Sequence, residues 1–344
     1  MNIVTSFCQT YDTKYLDKLS NELKLFIIKK AKESIITNKG FVGLSQIIIN
    51  HFSKNNLTIL SYKYLEGCIS LSEHYSKKYK KHIYIFGYNN THNTSLKNKD
   101  GITNIFNFIK QIITTSDKFI DFFLETTYQR TNQKFIANMM EEGRTNDFLH
   151  QTIKYYRNCF LVDKTTCPYK NTRFHYVDIR SNEENEFLTD INLEKLTLRF
   201  LSTNDKSERN KIYLKMLEDY KILKQIDNCP KEIEQIMLKD MIKQIEYIDK
   251  IKNMTNKVIY FQMYLLMDMY LIGRLFRTFT QKQNIYSGEC KNVIIYANND
   301  SAIHYRKILQ DAEFYLIDVV NNNEAQNNFI NIKQIQQPFF NIKV

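Results

Sequence analysis

The chain has 344 residues, of which 43% are hydrophobic and 25% charged, enough for a sizeable core at the charge content of an ordinary soluble protein. A formal charge of +11 permits binding to nucleic acid or an acidic surface, yet no block of five or six like charges occurs. The most apolar segment, Val258 to Gly273, carries Gln262 and Asp268 and is too short to span a bilayer, so it is expected to be a buried helix.

Tyr and Phe number 23 each, Trp is absent, and there are only 8 Gly and 3 Pro, with Asn, Ile and Lys abundant. These residues have A/T-rich codons, so the bias reads as genomic, and much of the positive charge is expected to be a solvated surface. The six cysteines form no C-x-x-C pair and no zinc-ribbon spacing, and the opening Met1 to Ser6 has no basic region before an apolar core. Reduced thiols in a cytosolic, non-secreted protein are the expectation. P-loop, G-x-S-x-G, H-E-x-x-H and G-x-G-x-x-G motifs are all missing.

In chain order, apolar spacing predicts helices over Leu16 to Ile36 and Gly43 to Phe52, giving a helical region over 1–75. Leu57 to Tyr62 fits either a strand or a helix start. The stretch Lys81 to Asn93 reads as a central strand: Ile83, Tyr84, Ile85 and Phe86 run into Gly87 and then into small polar residues. A helix over Ile102 to Thr115 and a strand over Asp117 to Glu125 complete a βαβ unit, which predicts parallel, adjacent strands. A helix follows over Thr131 to Tyr156, then a strand over Thr172 to Arg180. Residues 76–183 are thus the first part of an α/β core.

Residues 184–285 read as a helical insertion or cap, with three long amphipathic segments at Ser207 to Asp227, Pro230 to Asn253 and Thr255 to Phe279. The core resumes over 286–320 with a strand at Asn292 to Ala297, a helix at Ala302 to Leu309 and a strand at Glu313 to Val319. A tail over 321–344 ends in the apolar Pro338-Phe339-Phe340. The expected fold is α/β: an open, mostly parallel sheet flanked by helices, with a long α-helical insertion before the last strands.

Polar residues collect at four strand ends: Gly87, Tyr88, Asn90 and His92; Glu125; His175 with Asp178 and Arg180; and Asn299, Ser301 and His304. Ligands of open α/β sheets sit outside the carboxyl ends of the strands. Each group also has a plain structural reading, a hydrogen-bonded core histidine for His175 and an ion pair for Asp178 with Arg180.

The order of these pieces resembles the α/β hydrolase-like family of erythromycin esterases and TraB/Tiki proteins, with relatives encoded by giant viruses. The carrying motifs are Phe86-Gly87-Tyr88-Asn89-Asn90, Phe123-Leu124-Glu125, the strand Arg173 to Arg180, and Tyr296-Ala297-Asn298-Asn299-Asp300-Ser301. The resemblance spans 82 to 318 without the helical insert. It implies Glu125, His175, Asp178 and Arg180 as catalytic, vestigial candidates, and Gly87, Tyr88, Asn90, His92, Asn299 and Ser301 as ligand-binding.

Tyr88 stands where the family pattern has Glu, Asn90 where it has a first His, and Ser301 where it has a second. Neutral groups bind through hydrogen bonds but do not readily activate water. A catalytically degenerate protein of a large DNA virus follows, in host cytoplasm, viral factory or virion, needing no cofactor and acting through a viral or host protein partner or a ligand. One alternative is a divalent-metal hydrolase using His92, Glu125 and His304; another is nucleic-acid binding through the basic surface.

Overall fold

Strand β3 (Lys81–Tyr88) is buried along its whole length, and the rest of the structure is arranged around it. The structure is a computed structural model. It describes residues 62–89, 101–127 except 117, parts of 151–179 (151–153, 155, 156, 159, 167, 169 and 171–179), 191–226, 229–279, 288–322 and 329–340 except 338. The helices expected before Phe52 and most of the one expected over 131–156 lie outside the described residues, as does the segment 57–61.

The strands of this region, in chain order, are β1 (Tyr64–Glu66), β2 (Ser70–Ser76), β3, β4 (Ile102–Asn104), β5 (Ile120–Thr127), β6 (Thr172–Asp178), β7 (Thr278–Phe279), β8 (Gly288–Glu289), β9 (Asn292–Asn298), β10 (Tyr315–Asn321) and β11 (Phe329–Asn331). Six of them form one sheet in the order β10-β2-β3-β9-β5-β6. The pairs β3–β9, β9–β5 and β5–β6 are parallel, whereas β10–β2 and β2–β3 are antiparallel. Strands β11, β1 and β4 make a second, small sheet. The fold class is α/β, a mostly parallel mixed sheet flanked by helices.

Two features depart from the sequence reading. Strands β3 and β5 are parallel but not adjacent, because β9 lies between them. The run Val293 to Ala297 is fully buried, and a strand apolar on both faces belongs in a sheet interior. The region 1–75, expected to be helical, contains β1 and β2. Strand β2 reads Ser-Leu-Ser-Glu-His-Tyr-Ser and buries all but Tyr75. So polar a sequence tolerates burial only where partners meet it, and here they come from both sides of the sheet.

Helix α1 (Ile105–Thr115) starts later than expected, since 102–104 is strand; Asn104 caps it by accepting from the Asn107 N–H at 2.9 Å. The insertion folds as α2 (Ile191–Ser202), α3 (Lys206–Asp219), α4 (Leu223–Ile226), α5 (Lys231–Lys250) and α6 (Met254–Tyr260). A π-helical stretch, Phe261–Met267, runs directly into α7 (Asp268–Phe276). The expected first long segment is thus broken after Asp219, and the third is continuous but wound more loosely in its middle. Helix α8 (Asn299–Asp311) follows β9, its first turn capped by the Asn298 side chain, which accepts from the Asp300 N–H at 3.0 Å.

Side-chain alternation divides the core. Ile83, Ile85, Phe123, Val293, Ile295 and Ala297 pack against the helices α2–α8. Tyr84, Phe86, Tyr88, Phe122, Leu124, Ile294 and Tyr296 pack against α1 and the chain's end. Phe339 stacks on Tyr84 with ring centres 3.8 Å apart and planes 14° from parallel. Phe339 and Phe340 of the tail are therefore core material. Cys159 and Cys167, with Cα atoms 4.7 Å apart, form a disulfide, which corrects the expectation of reduced thiols at that pair. Among the described residues, Cys68 and Cys290 are buried thiols outside any disulfide.

Candidate functional site

The carboxyl ends of β3, β9 and β5 converge on the start of α8. Asp121, Phe123 and Glu125 alternate onto the helix-facing side of β5. Glu125 is buried, and its Oε2 accepts from the Asn298 backbone N–H at 2.5 Å. That bond fixes the turn from β9 into α8 and places a negative charge beside a helix N-terminus, where it is favoured. Gly87 lets the turn close: a Cβ there would lie 2.5 Å from Asn299 Oδ1 and 2.4 Å from Ser70 Oγ. Ser70 donates to Asn299 Oδ1 at 2.6 Å.

Below this turn sits Arg306, whose Nη2 donates to Ser70 Oγ at 2.7 Å and whose Nε donates to Ser72 Oγ at 2.8 Å. Burial lowers its guanidinium to about 10, and among the described residues it has hydroxyl and carbonyl partners, with no carboxylate. Ser72 also meets His74 Nε2 at 3.0 Å. Burial, then the Arg306 charge, pushes His74 down to about 4, so that imidazole is neutral.

Ser301 is fully buried. Its Oγ, the Tyr305 hydroxyl and Asp268 Oδ1 form a buried polar group under the first turns of α8, in which Tyr305 interacts with both of the others. His304 joins two aspartates, Nε2 to Asp240 Oδ2 at 2.7 Å and Nδ1 to Asp268 Oδ2 at 2.5 Å. Burial works against a charged ring, but the two carboxylates outweigh it and hold His304 at about 9. With both ring nitrogens bonded to carboxylates, His304 presents no free lone pair to a metal. His92, Asn90 and Arg180 lie outside the described residues.

The remaining predicted residues are separated. Tyr88 faces the opposite side of the sheet from Glu125 and packs on Tyr296 at 5.1 Å. Asp178 is buried at the end of β6, opposite Thr127. His175 sits mid-strand, stacked on Phe123 at 4.2 Å, with Nε2 on Asp121 at 2.8 Å and Nδ1 on Arg274 Nη2 at 3.0 Å. Burial drives it down to about 3, so it is neutral and enclosed. Asp121 also takes a forked pair of bonds from Arg173, at 2.5 Å and 3.1 Å.

Asp121, His175 and Cys290 place possible ligand atoms within 4.8 Å of one another. Burial raises the Cys290 thiol far above the thiolate range, and Arg173, Arg274 and Lys81 crowd the same spot. A cation would meet cations there, so the cluster reads as structural.

Sequence reasoning passed over Asp121, Asp240, Asp268 and Arg306. Asp121 and Arg173 hold the second positions of two paired parallel strands and stand opposite each other. A charge of opposite sign at the same strand position was the available signal; the other three depend on helix packing. No family model, curated protein or solved structure matches the chain.

Proposed function

We propose that this is a catalytically degenerate α/β protein that binds a ligand or protein partner at the carboxyl ends of β3, β5 and β9 without turning it over. The observation that carries the reading is the state of Glu125. Its carboxylate braces the Asn298 N–H at 2.5 Å, and around the same turn Asn299 and the backbone of Gly87 offer an amide and backbone groups, with the Ser301 hydroxyl buried beneath. Hydrolysis needs a base that can take a proton from water and a group to return it. Among the described residues, His175 is enclosed by Asp121 and Arg274, and His304 is held between Asp240 and Asp268.

What the turn offers suits recognition. Amide and hydroxyl groups orient a ligand by hydrogen bonding, and Arg306 lies two hydrogen bonds from Asn299 by way of Ser70. Origin in a large DNA virus, and the erythromycin esterase and TraB-like ancestry, belong to the same proposal and rest on the motif order.

The test is metal content of the purified protein by elemental analysis, with thermal shifts in Zn, Mn, Mg and Ca and an esterase panel. The expected result is no stoichiometric metal and no turnover, with Glu125→Ala changing stability alone. Stoichiometric metal lost in Glu125→Ala, together with hydrolysis abolished by it, would sink the proposal.

A further inference from the structure

At the other end of the sheet, where β5, β6 and β9 begin, a cleft of about 620 Å³ is lined by Lys80, Phe119, Gly288, Glu289, Lys291 and Asn292. The positive charge beside it is unusual. The guanidinium carbons of Arg173, Arg277 and Arg274 lie 4.0, 4.9 and 5.2 Å from the centre of one ring, Phe279. Arg173 stands behind the cleft wall, paired with Asp121, its Nη1 donating to the carbonyl of the lining residue Gly288 at 3.4 Å and its guanidinium lying 5.6 Å from the Phe119 ring. Lys81 is buried behind it, its ammonium on the Cys290 carbonyl and 5.6 Å from the Phe276 ring.

The charges answering this group are few. Asp121 is shared between Arg173 and His175, Glu289 in the cleft lining offsets one of its two lysines, and Arg277 relies on the neutral Gln225 Oε1 at 2.5 Å. The buried Nε atoms of Arg274 and Arg277 have no hydrogen-bond partner among the described residues. The carboxyl end of α7 favours a nearby cation, and each ring contact adds a cation–π attraction. Those gains account for one or two arginines. They do not explain why three converge with a buried lysine and with Lys80 and Lys291 at the cleft, at a place where like charges repel across a poorly solvated interior.

We propose that this cleft is a binding site for a phosphate-type oxyanion, met by Lys80 and Lys291 at its mouth, with the buried Arg173 behind its wall adding to the positive field. Arg274 and Arg277, gathered on Phe279, supply the surrounding positive field. The site is separate from the carboxyl-end turn and does not depend on the function assigned there. A cleft of this size suits a small phosphorylated molecule, while the same chemistry is presented by the backbone of a nucleic acid.

Isothermal titration of the full chain with inorganic pyrophosphate tests it, in parallel with a ten-nucleotide single strand. The expected result is saturable pyrophosphate binding that weakens with salt. It should weaken about tenfold in a Lys80→Gln/Lys291→Gln double variant, whose changes lie on the surface and leave the fold intact. Arg277→Gln should weaken it as well, with circular dichroism confirming the fold. Absence of pyrophosphate binding, or equal affinity in the double variant, overturns the proposal. Binding of the oligonucleotide alone also overturns it, and would assign the cluster to nucleic acid.

Discussion

His304 Nε2 on α8 lies 2.7 Å from Asp240 Oδ2 on α5, and this buried ion pair ties the insertion to the core. With Asp268 on the other ring nitrogen, the imidazolium is held at about 9 against an ordinary 6.5. A group whose folded value is raised contributes its full stabilisation below the unfolded value and loses it as pH climbs through the folded one. Stability should therefore fall between pH 6.5 and 9, by about 3 kcal/mol if this pair acts alone. Denaturation midpoints across that range measure it; a flat profile would show that the ring is neutral.

On the acid side two other histidines act in the opposite sense. His175 and His74 are held down, at about 3 and about 4, first of all by burial. Below pH 6.5 the unfolded chain takes up protons that the folded chain refuses, so stability declines by up to about 1.4 kcal/mol per pH unit for each group. Together with the His304 limb this gives a stability maximum near pH 6.5. His74→Gln should reduce the slope between pH 6.5 and 5.

Asp121 is buried, and the bonds from His175 and Arg173 keep its carboxyl below the usual range against the effect of burial. Asp121→Asn would leave Arg173 and its neighbours with an uncompensated charge, at a cost of about 3–5 kcal/mol. Urea titration at pH 7 should show this loss. A change under 1 kcal/mol would mean that the surrounding cations are solvated.

Gly87→Ala has no room. Its new methyl would meet Ser70 Oγ and Asn299 Oδ1 and come within 3.1 Å of Asn299 Cα. Because the last of these is backbone, a loss of about 1–3 kcal/mol is expected. In thermal melts the variant should lie well below wild type, and a structure of it should show the start of α8 displaced.

Phe339 is buried against Tyr84, Phe86 and Phe108. Phe339→Ala should cost about 3–5 kcal/mol, as for a core phenylalanine. Measured denaturant midpoints at the wild-type level would instead make the end of the chain a dispensable strap.

Sequence alone determined the elements whose side chains are apolar on a regular period. The continuous run of β3 and that of β9 announce buried strands, because only a strand covered on both faces is apolar at every position. The glycine and asparagines that follow announce the turns. Strand β2 was not legible, since its serines, Glu73 and His74 look exposed until Arg306 from α8 meets one face and His82 with Tyr84 meets the other. The order of the sheet was equally hidden. Strand β9 reaches its place between β3 and β5 only after the helical insertion, more than a hundred residues beyond β6, and no local pattern records that return.

The candidate site divides in the same way. The strand-end positions of Glu125 and Asn299 were legible because strand-end chemistry is local, whereas the surroundings of His175 and His304 were decided by partners 54 and 64 residues away, Asp121 and Asp240. A histidine becomes a base, a ligand or a structural cation according to which carboxylate packing brings to it and how completely water is removed. That choice belongs to the tertiary structure.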